Sequence, residues 1–337
     1  MTTALITGAS SGIGAVYARR LAARGHNLVL VARATDRLNT LAAELRKAHG
    51  VAIEVMTADL TDERQLESIL QRLHSEPPVD ILVNNAGAGL LGDFATADPA
   101  ELNKLLLLNV TAPTLLASAV IGGMVKRGSG SIINIASVLA LLPEYSHGIY
   151  AATKSYVLTL SQSLAAEVTS KGLYIQAVLP AATRTEIYDR AGGDINKVPD
   201  VMEVDDLVDA ALVGFDRKEL VTIPPVPEVS AWETFEHARG VLASGFSNSP
   251  SQRLVTALDG RLLAASLKGA EISMYSSPPR QAGNRFIADP VAANSTIVYG
   301  RGTVVCGDII GRRLLAHLPV ASVGYIPDFD RRSCPFI

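Results

Sequence analysis

Short apolar, β-branched runs alternate with longer stretches in which apolar residues recur every three or four positions, from the start of the chain to about residue 223. The short runs are Ala4–Thr7, Asn27–Ala32, Ala52–Thr57, Ile81–Asn84, Gly130–Ala136, Tyr174–Leu179 and Leu220–Ile223. Helical spacing covers Ile13–Arg24, Thr35–Gly50, Asp62–His74, Pro99–Arg127, Gly148–Lys171 and Val204–Asp216. Asp62 is placed to cap a helix, and Gly25, Gly50 and Gly172 stand where a left-handed C-terminal residue is wanted. The alternation predicts an α/β fold, a doubly wound, Rossmann-like parallel sheet of about seven strands with helices on both faces. Its ligand crevice is expected at the carboxyl ends of the strands.

The rhythm stops after Ile223. Pro224-Pro225-Val226-Pro227 ends the last strand, and Glu228–Ser244 reads as an amphipathic helix carrying the only tryptophan, Trp232. From about residue 259 the strand-helix alternation is lost, so residues 1–258 are expected to form one α/β domain and 259–337 an irregular extension of unknown role. The chain has 337 residues, 48% of them hydrophobic and 19% charged, which fits a folded globular protein and excludes disorder throughout. A net charge of -3 gives no electrostatic footprint for nucleic acid. The two cysteines, Cys306 and Cys334, lie near the end of the chain, so neither a disulfide framework nor a metal site is expected. The first residues run directly into a strand pattern, and cytoplasmic residence is the expectation. Leu105–Val125 carries no charge and is long enough for a membrane span, but its polar residues and neighbours favour a largely buried helix.

Gly8-Ala9-Ser10-Ser11-Gly12-Ile13-Gly14 joins the first strand to the first helix. Glycines there allow a tight turn, and a helix N-terminus offers unpaired N–H groups to a pyrophosphate. The second strand ends Ala32-Arg33, with no carboxylate for a ribose 2′-hydroxyl. Arg33 instead offers a planar fork suited to a 2′-phosphate, which points to NADP, although a solvated arginine at a helix start is the plainer alternative. Asp59-Leu60 and Asn84-Asn85-Ala86-Gly87 follow the third and fourth strands and complete the crevice. Asp59 suits the adenine amino group, whereas the asparagine pair suits bracing of the sheet.

Tyr150 and Lys154 are four residues apart on a helix, so phenol and ammonium share a face. The cation there would stabilise a phenolate and lower the phenol pKa from about 10. The pair suits acid-base work on an alcohol or carbonyl oxygen, and Ser137, just past the fifth strand, could hydrogen-bond that same oxygen. Asn109 interrupts an apolar run, as a satisfied buried group or as a holder of water.

Together, Thr7-Gly8-x-x-x-Gly12-x-Gly14, Asn84-Asn85-Ala86-Gly87, Asn109, Ser137 and Tyr150-x-x-x-Lys154 resemble the short-chain dehydrogenase/reductase family over roughly residues 3–258. The resemblance implies Tyr150 as general acid-base, and Lys154 as its electrostatic partner and a ligand of the nicotinamide ribose. It further implies Ser137 as the residue orienting the substrate carbonyl and Asn109 as the holder of a relay water. Where the family has Pro-Gly after the sixth strand this chain has Pro180-Ala181, and Thr185 matches the family's carboxamide contact. An NADP(H)-dependent oxidoreductase acting on a small-molecule carbonyl or alcohol is implied, as a homodimer or homotetramer paired through its apolar helices. Leu139, Leu141, Leu142, Tyr145, Ile187, Tyr188 and Ile195 suggest an apolar ketone or aldehyde, with His147 a solvated loop residue. The alternatives are an NAD-linked alcohol dehydrogenase and a catalytically idle NADP-binding scaffold.

Overall fold

In a computed structural model, residues 1–89, 94–145, 149–187, 191–226 and 228–247 are described, together with the backbone of four short strands further along. The described residues fall into two units, one over Met1–Val229 and a second beginning at Ser230.

The first unit follows the sequence pattern closely. Its strands are β1 (Thr3–Thr7), β2 (Asn27–Ala32), β3 (Ile53–Thr57), β4 (Ile81–Asn84), β5 (Gly130–Ile135), β6 (Leu173–Val178) and β7 (Val221–Thr222). They form one parallel sheet in the order β3-β2-β1-β4-β5-β6-β7. The order reverses between β1 and β4, and in such sheets the crevice beyond that switch point binds ligands. Strands β1, β2 and β4 are almost wholly buried, as their continuous apolar runs require of a sheet covered on both faces.

Helices α1 (Gly12–Ala23), α2 (Thr35–His49), α3 (Glu63–Leu73), α4 (Pro99–Leu106), α5 (Ala112–Arg127), α6 (Tyr150–Val168) and α7 (Val204–Asp216) connect these strands. Apolar residues of α1, α2 and α7 fill the core on one face of the sheet. Those of α3, α5 and α6 fill it on the other. Capping follows the sequence expectation: Asp62 accepts from Gln65 N at 3.0 Å, and Gly50 takes the left-handed conformation after α2. Salt bridges from Arg20 to Asp205 and Asp209, and from Arg24 to Asp216, fasten α1 to α7.

One expectation needs correction. Pro99–Arg127 reads as a single helix in the sequence, but a π-helical turn over Leu107–Thr111 separates α4 from α5. Pro113 has no N–H, so the α-helical bond that would end on the Asn109 carbonyl cannot form, and its ring crowds that carbonyl. The chain widens by one residue, and Ala112 N donates to Leu107 O instead. By length and composition the whole stretch could cross a membrane. In this fold Leu116, Ala117, Val120 and Met124 on one side of it belong to the core against the sheet.

The second unit contains all but the first residue of α8 (Val229–Ser244), where Trp232 stacks on Phe235 at 5.3 Å and no residue is buried. It also holds four short strands, β8 (Ser273–Met274), β9 (Val298–Gly300), β10 (Thr303–Gly307) and β11 (Arg313–Ala316), paired antiparallel in the order β8-β11-β10-β9. The expected boundary at 258/259 falls outside the described residues, as does Cys334.

Candidate active site

Every residue of the site stands at the carboxyl end of the sheet or on an element that packs there. In the loop from β1 to α1, Gly12 has φ +54°, a left-handed conformation that a side chain would strain. At Gly14 a Cβ would collide with Gly8 O and Asn85 Nδ2, so only glycine lets the chain turn this closely into α1. Thr7 and Asn85 fix the loop from beneath. Thr7 Oγ1 accepts from Asn85 N and Ala86 N, both at 3.0 Å, and Asn85 Nδ2 donates to Thr7 O at 2.8 Å and to Gly8 O at 3.3 Å. Asn85 therefore braces the glycine turn, while Asn84 donates to Asn134 Oδ1 at 2.9 Å and ties β4 to β5. Ser10 and Ser11 lie on the turn itself, and Ile13 packs onto the core from the first turn of α1. This arrangement leaves the start of α1 suited to an anionic phosphate.

At the other end of the cofactor crevice, the Arg33 side chain is 69% exposed and lies 3.7 Å from an Asp59 carboxylate oxygen. Partial burial opposes ionisation of Asp59, but the backbone N–H and hydroxyl of Thr61 prevail, and with Arg33 they hold the carboxyl below its usual range. Leu60 turns its side chain into the core.

The catalytic candidates meet around the start of α6. Lys154 is 5% exposed; its Nζ donates to Ile135 O at 2.9 Å and lies 5.7 Å from the centre of the Tyr150 ring. Burial pulls the ammonium pKa down from 10.5 to about 8. Ser137 is buried at the end of β5, where its Oγ accepts from Leu139 N at 3.2 Å and donates weakly to Pro180 O at 3.4 Å. Ser155, next to Lys154, donates to Ala140 O at 2.9 Å and so ties α6 to the loop that Ser137 opens.

The Asn109 side chain is a brace. Its Oδ1 accepts from Ala88 N at 3.0 Å, and its Nδ2 donates to Ala88 O at 2.9 Å and to Thr153 Oγ1 at 3.1 Å. Thr153 in turn donates to Tyr150 O at 2.7 Å, so one chain of hydrogen bonds joins the β4 loop, the π-turn and the backbone of Tyr150. Of the two sequence readings of Asn109, the satisfied buried group describes its side chain. A Cβ on Gly87 would lie 3.3 Å from Asn109 Oδ1 and 3.4 Å from Lys154 Nζ, which places the β4 loop against both side chains. Thr185, after β6, reaches the glycine turn: its Cγ2 lies 3.3 Å from where a Gly12 Cβ would stand. The substitution of Ala181 for glycine after Pro180 therefore leaves Thr185 at the cofactor crevice.

Sequence reasoning did not single out Thr153 or Ser155, although both carry hydroxyls within one turn of Tyr150 or Lys154. His147 and Tyr188 lie outside the described residues. Among the described residues no cluster of three or more His, Cys, Asp or Glu could hold a metal ion.

A family model described as short chain dehydrogenase matches residues 2–195. A short-chain dehydrogenase from Sphingobium yanoikuyae, solved in complex with NADPH, is 54% identical with a TM-score of 0.71, covering 72% of this chain and 95% of its own. The bulky-bulky ketone specific alcohol dehydrogenase of Comamonas testosteroni is 50% identical with a TM-score of 0.67, covering 72% of this chain and 94% of its own. Human 17-beta-hydroxysteroid dehydrogenase type 3 is 34% identical over 184 residues, which is 54% of this chain and 59% of that protein. The chain thus spans about three-fifths of the length of such curated relatives.

Proposed function

This chain belongs to the short-chain dehydrogenase family, and from that premise we propose that it is an NADPH-dependent reductase of apolar ketones or aldehydes, with Tyr150 as the general acid. The observation that carries the proposal is the Tyr150–Lys154 pair. The ammonium is buried, oriented by Ile135 O, and stands 5.7 Å from the phenol ring one helical turn away.

The residues present fit a nicotinamide dinucleotide. The glycine turn has no room for a Cβ at Gly14, and α1 begins where a pyrophosphate would bind. Arg33, with Ala32 before it, supports NADP over NAD, as does the NADPH complex of the Sphingobium yanoikuyae relative. NADPH, when bound, supplies the hydride. Tyr150 donates its proton to the substrate oxygen as negative charge develops there. Lys154, cationic below pH about 8, stabilises the phenolate left behind. Ser137 donates a hydrogen bond to the same oxygen and orients the carbonyl, an interaction that replaces its weak bond to Pro180 O. Asn109 and Thr153 hold Tyr150 and the β4 loop in register. Leu139, Leu141, Leu142 and Ile187, on the loops flanking Ser137 and Thr185, favour an apolar substrate, in line with the ketone specificity named for the Comamonas testosteroni relative.

Absorbance at the nicotinamide band tests the proposal, with a panel of bulky apolar ketones and aldehydes and with both cofactors. Faster turnover with NADPH than with NADH is expected; no turnover with any carbonyl, or equal rates with the two cofactors, contradicts it. The protein is further proposed to pair as a homodimer or homotetramer through α4, α5 and α6, which leave Leu106, Leu115 and Tyr156 partly exposed. Sedimentation at micromolar concentration is expected to show the assembly, and a monomer alone would contradict it.

A further inference from the structure

The two walls of the cofactor crevice are joined by an ion pair that the chemistry above does not use. Arg37, in the first turn of α2, donates through Nη1 to both carboxylate oxygens of Glu186 at 2.8 and 3.0 Å. Arg33 lies in the turn that leaves β2, two residues before α2 begins, and Arg37 lies in the first turn of α2, so both cations belong to the short segment at the carboxyl end of β2. Glu186 directly follows Thr185, which lies over Gly12 of the phosphate turn. A carboxylate from the loop after β6 is thereby held by a cation of the 2′-phosphate wall.

The geometry points to Glu186 as a determinant of cofactor choice, competing with the 2′-phosphate of NADPH for Arg37. The inference rests on the NADPH reading of Arg33. Both side chains are largely solvated, 55% exposed for Arg37 and 42% for Glu186, so the pair is readily exchanged for a better one. A phosphate carries more charge than a carboxylate and accepts a bidentate guanidinium equally well, so it draws Arg37 away from Glu186. NADH lacks that phosphate and leaves the pair intact. Glu186 thus reduces the advantage of NADPH over NADH, and releases its loop from α2 only when NADPH is bound.

Titration of the purified full chain with NADPH and with NADH, followed by nicotinamide fluorescence, tests this without any need for turnover. Glu186→Gln keeps the shape of the side chain and removes its charge; NADPH affinity is expected to rise about two- to five-fold, the worth of an exposed ion pair, with NADH affinity unchanged. The gain is expected to shrink in an Arg37→Gln background and at high salt. Equal changes for the two cofactors, weaker NADPH binding by Glu186→Gln, or a gain that persists in full beside Arg37→Gln each overturn the competition. A parent protein that binds NADPH no tighter than NADH overturns the NADPH reading itself. A parent that prefers NADPH by a margin Glu186→Gln does not move overturns only the role of Glu186.

Discussion

The two ends of the cofactor crevice are built on opposite principles. At the catalytic end, Lys154, Asn109 and Ser137 are buried, and each is fixed by hydrogen bonds to backbone atoms of a neighbouring element. At the phosphate end, Arg33 and Arg37 are mostly solvated and, among the described residues, are held by side-chain carboxylates, Asp59 at 3.7 Å and Glu186 at 2.8 Å. The proposed proton transfer depends on geometry fixed to within tenths of an ångström, and the end that would carry it is over-determined. Cofactor choice depends on charge, which acts across several ångströms, so exposed groups suffice there and can be exchanged with little cost to the fold.

The largest expected effect breaks the catalytic end alone. Tyr150→Phe removes the proton donor and almost no volume, and turnover with NADPH is expected to fall about 100- to 10,000-fold. A variant that keeps more than half the parent rate on a good ketone would remove Tyr150 from the mechanism.

Burial at the catalytic end also carries a stability cost that pH reveals. The folded-state pKa of Lys154, about 8, lies below the ordinary 10.5, so between these values the unfolded chain binds more protons and stability rises with pH. Lys154→Met is therefore expected to abolish turnover and yet to stabilise the fold at pH 7.5, by up to about 3 kcal/mol. That advantage is expected to shrink as pH rises from about 8 to 10.5. Denaturant unfolding of both proteins at pH 7.5 and pH 10 measures it; a gap that widens with pH contradicts the assignment.

Breaking the phosphate end gives a smaller and more selective effect. Arg33→Ala is expected to weaken NADPH about tenfold, the low end of the range for a charged hydrogen bond because the site is solvated, and to leave NADH unchanged. Ala32→Asp sharpens the contrast by adding a carboxylate that repels the phosphate and accepts from a free ribose hydroxyl. Equal losses of both cofactors in Arg33→Ala would show that Arg33 supports the fold and does not select the cofactor.

Much of this was legible in the sequence because its causes are local. The glycine turn, the strand ends and the four-residue spacing of Tyr150 and Lys154 each announce their geometry within one element. The π-turn also has a local cause, Pro113 four residues after Asn109, but the apolar run around it reads as an unbroken helix. Other features were hidden because they join distant parts of the chain. Asn109 finds Thr153 forty-four residues away, and Arg37 finds Glu186 one hundred and forty-nine residues away. No periodicity reports such pairs, which exist only once the sheet has brought the elements together. The hydroxyl of Thr7 is similar: within its own strand it is one more β-branched residue, and only β4 alongside makes it the acceptor that holds Asn85 and Ala86.

The division of labour between the two ends is tested most directly by titrating Tyr150→Phe with NADPH beside its turnover on a good ketone. The expected result is an affinity within about twofold of the parent together with a rate lower by about 100-fold or more. Affinity lost in step with the rate would mean that Tyr150 serves chiefly to build the cofactor site, and would contradict its role as the proton donor.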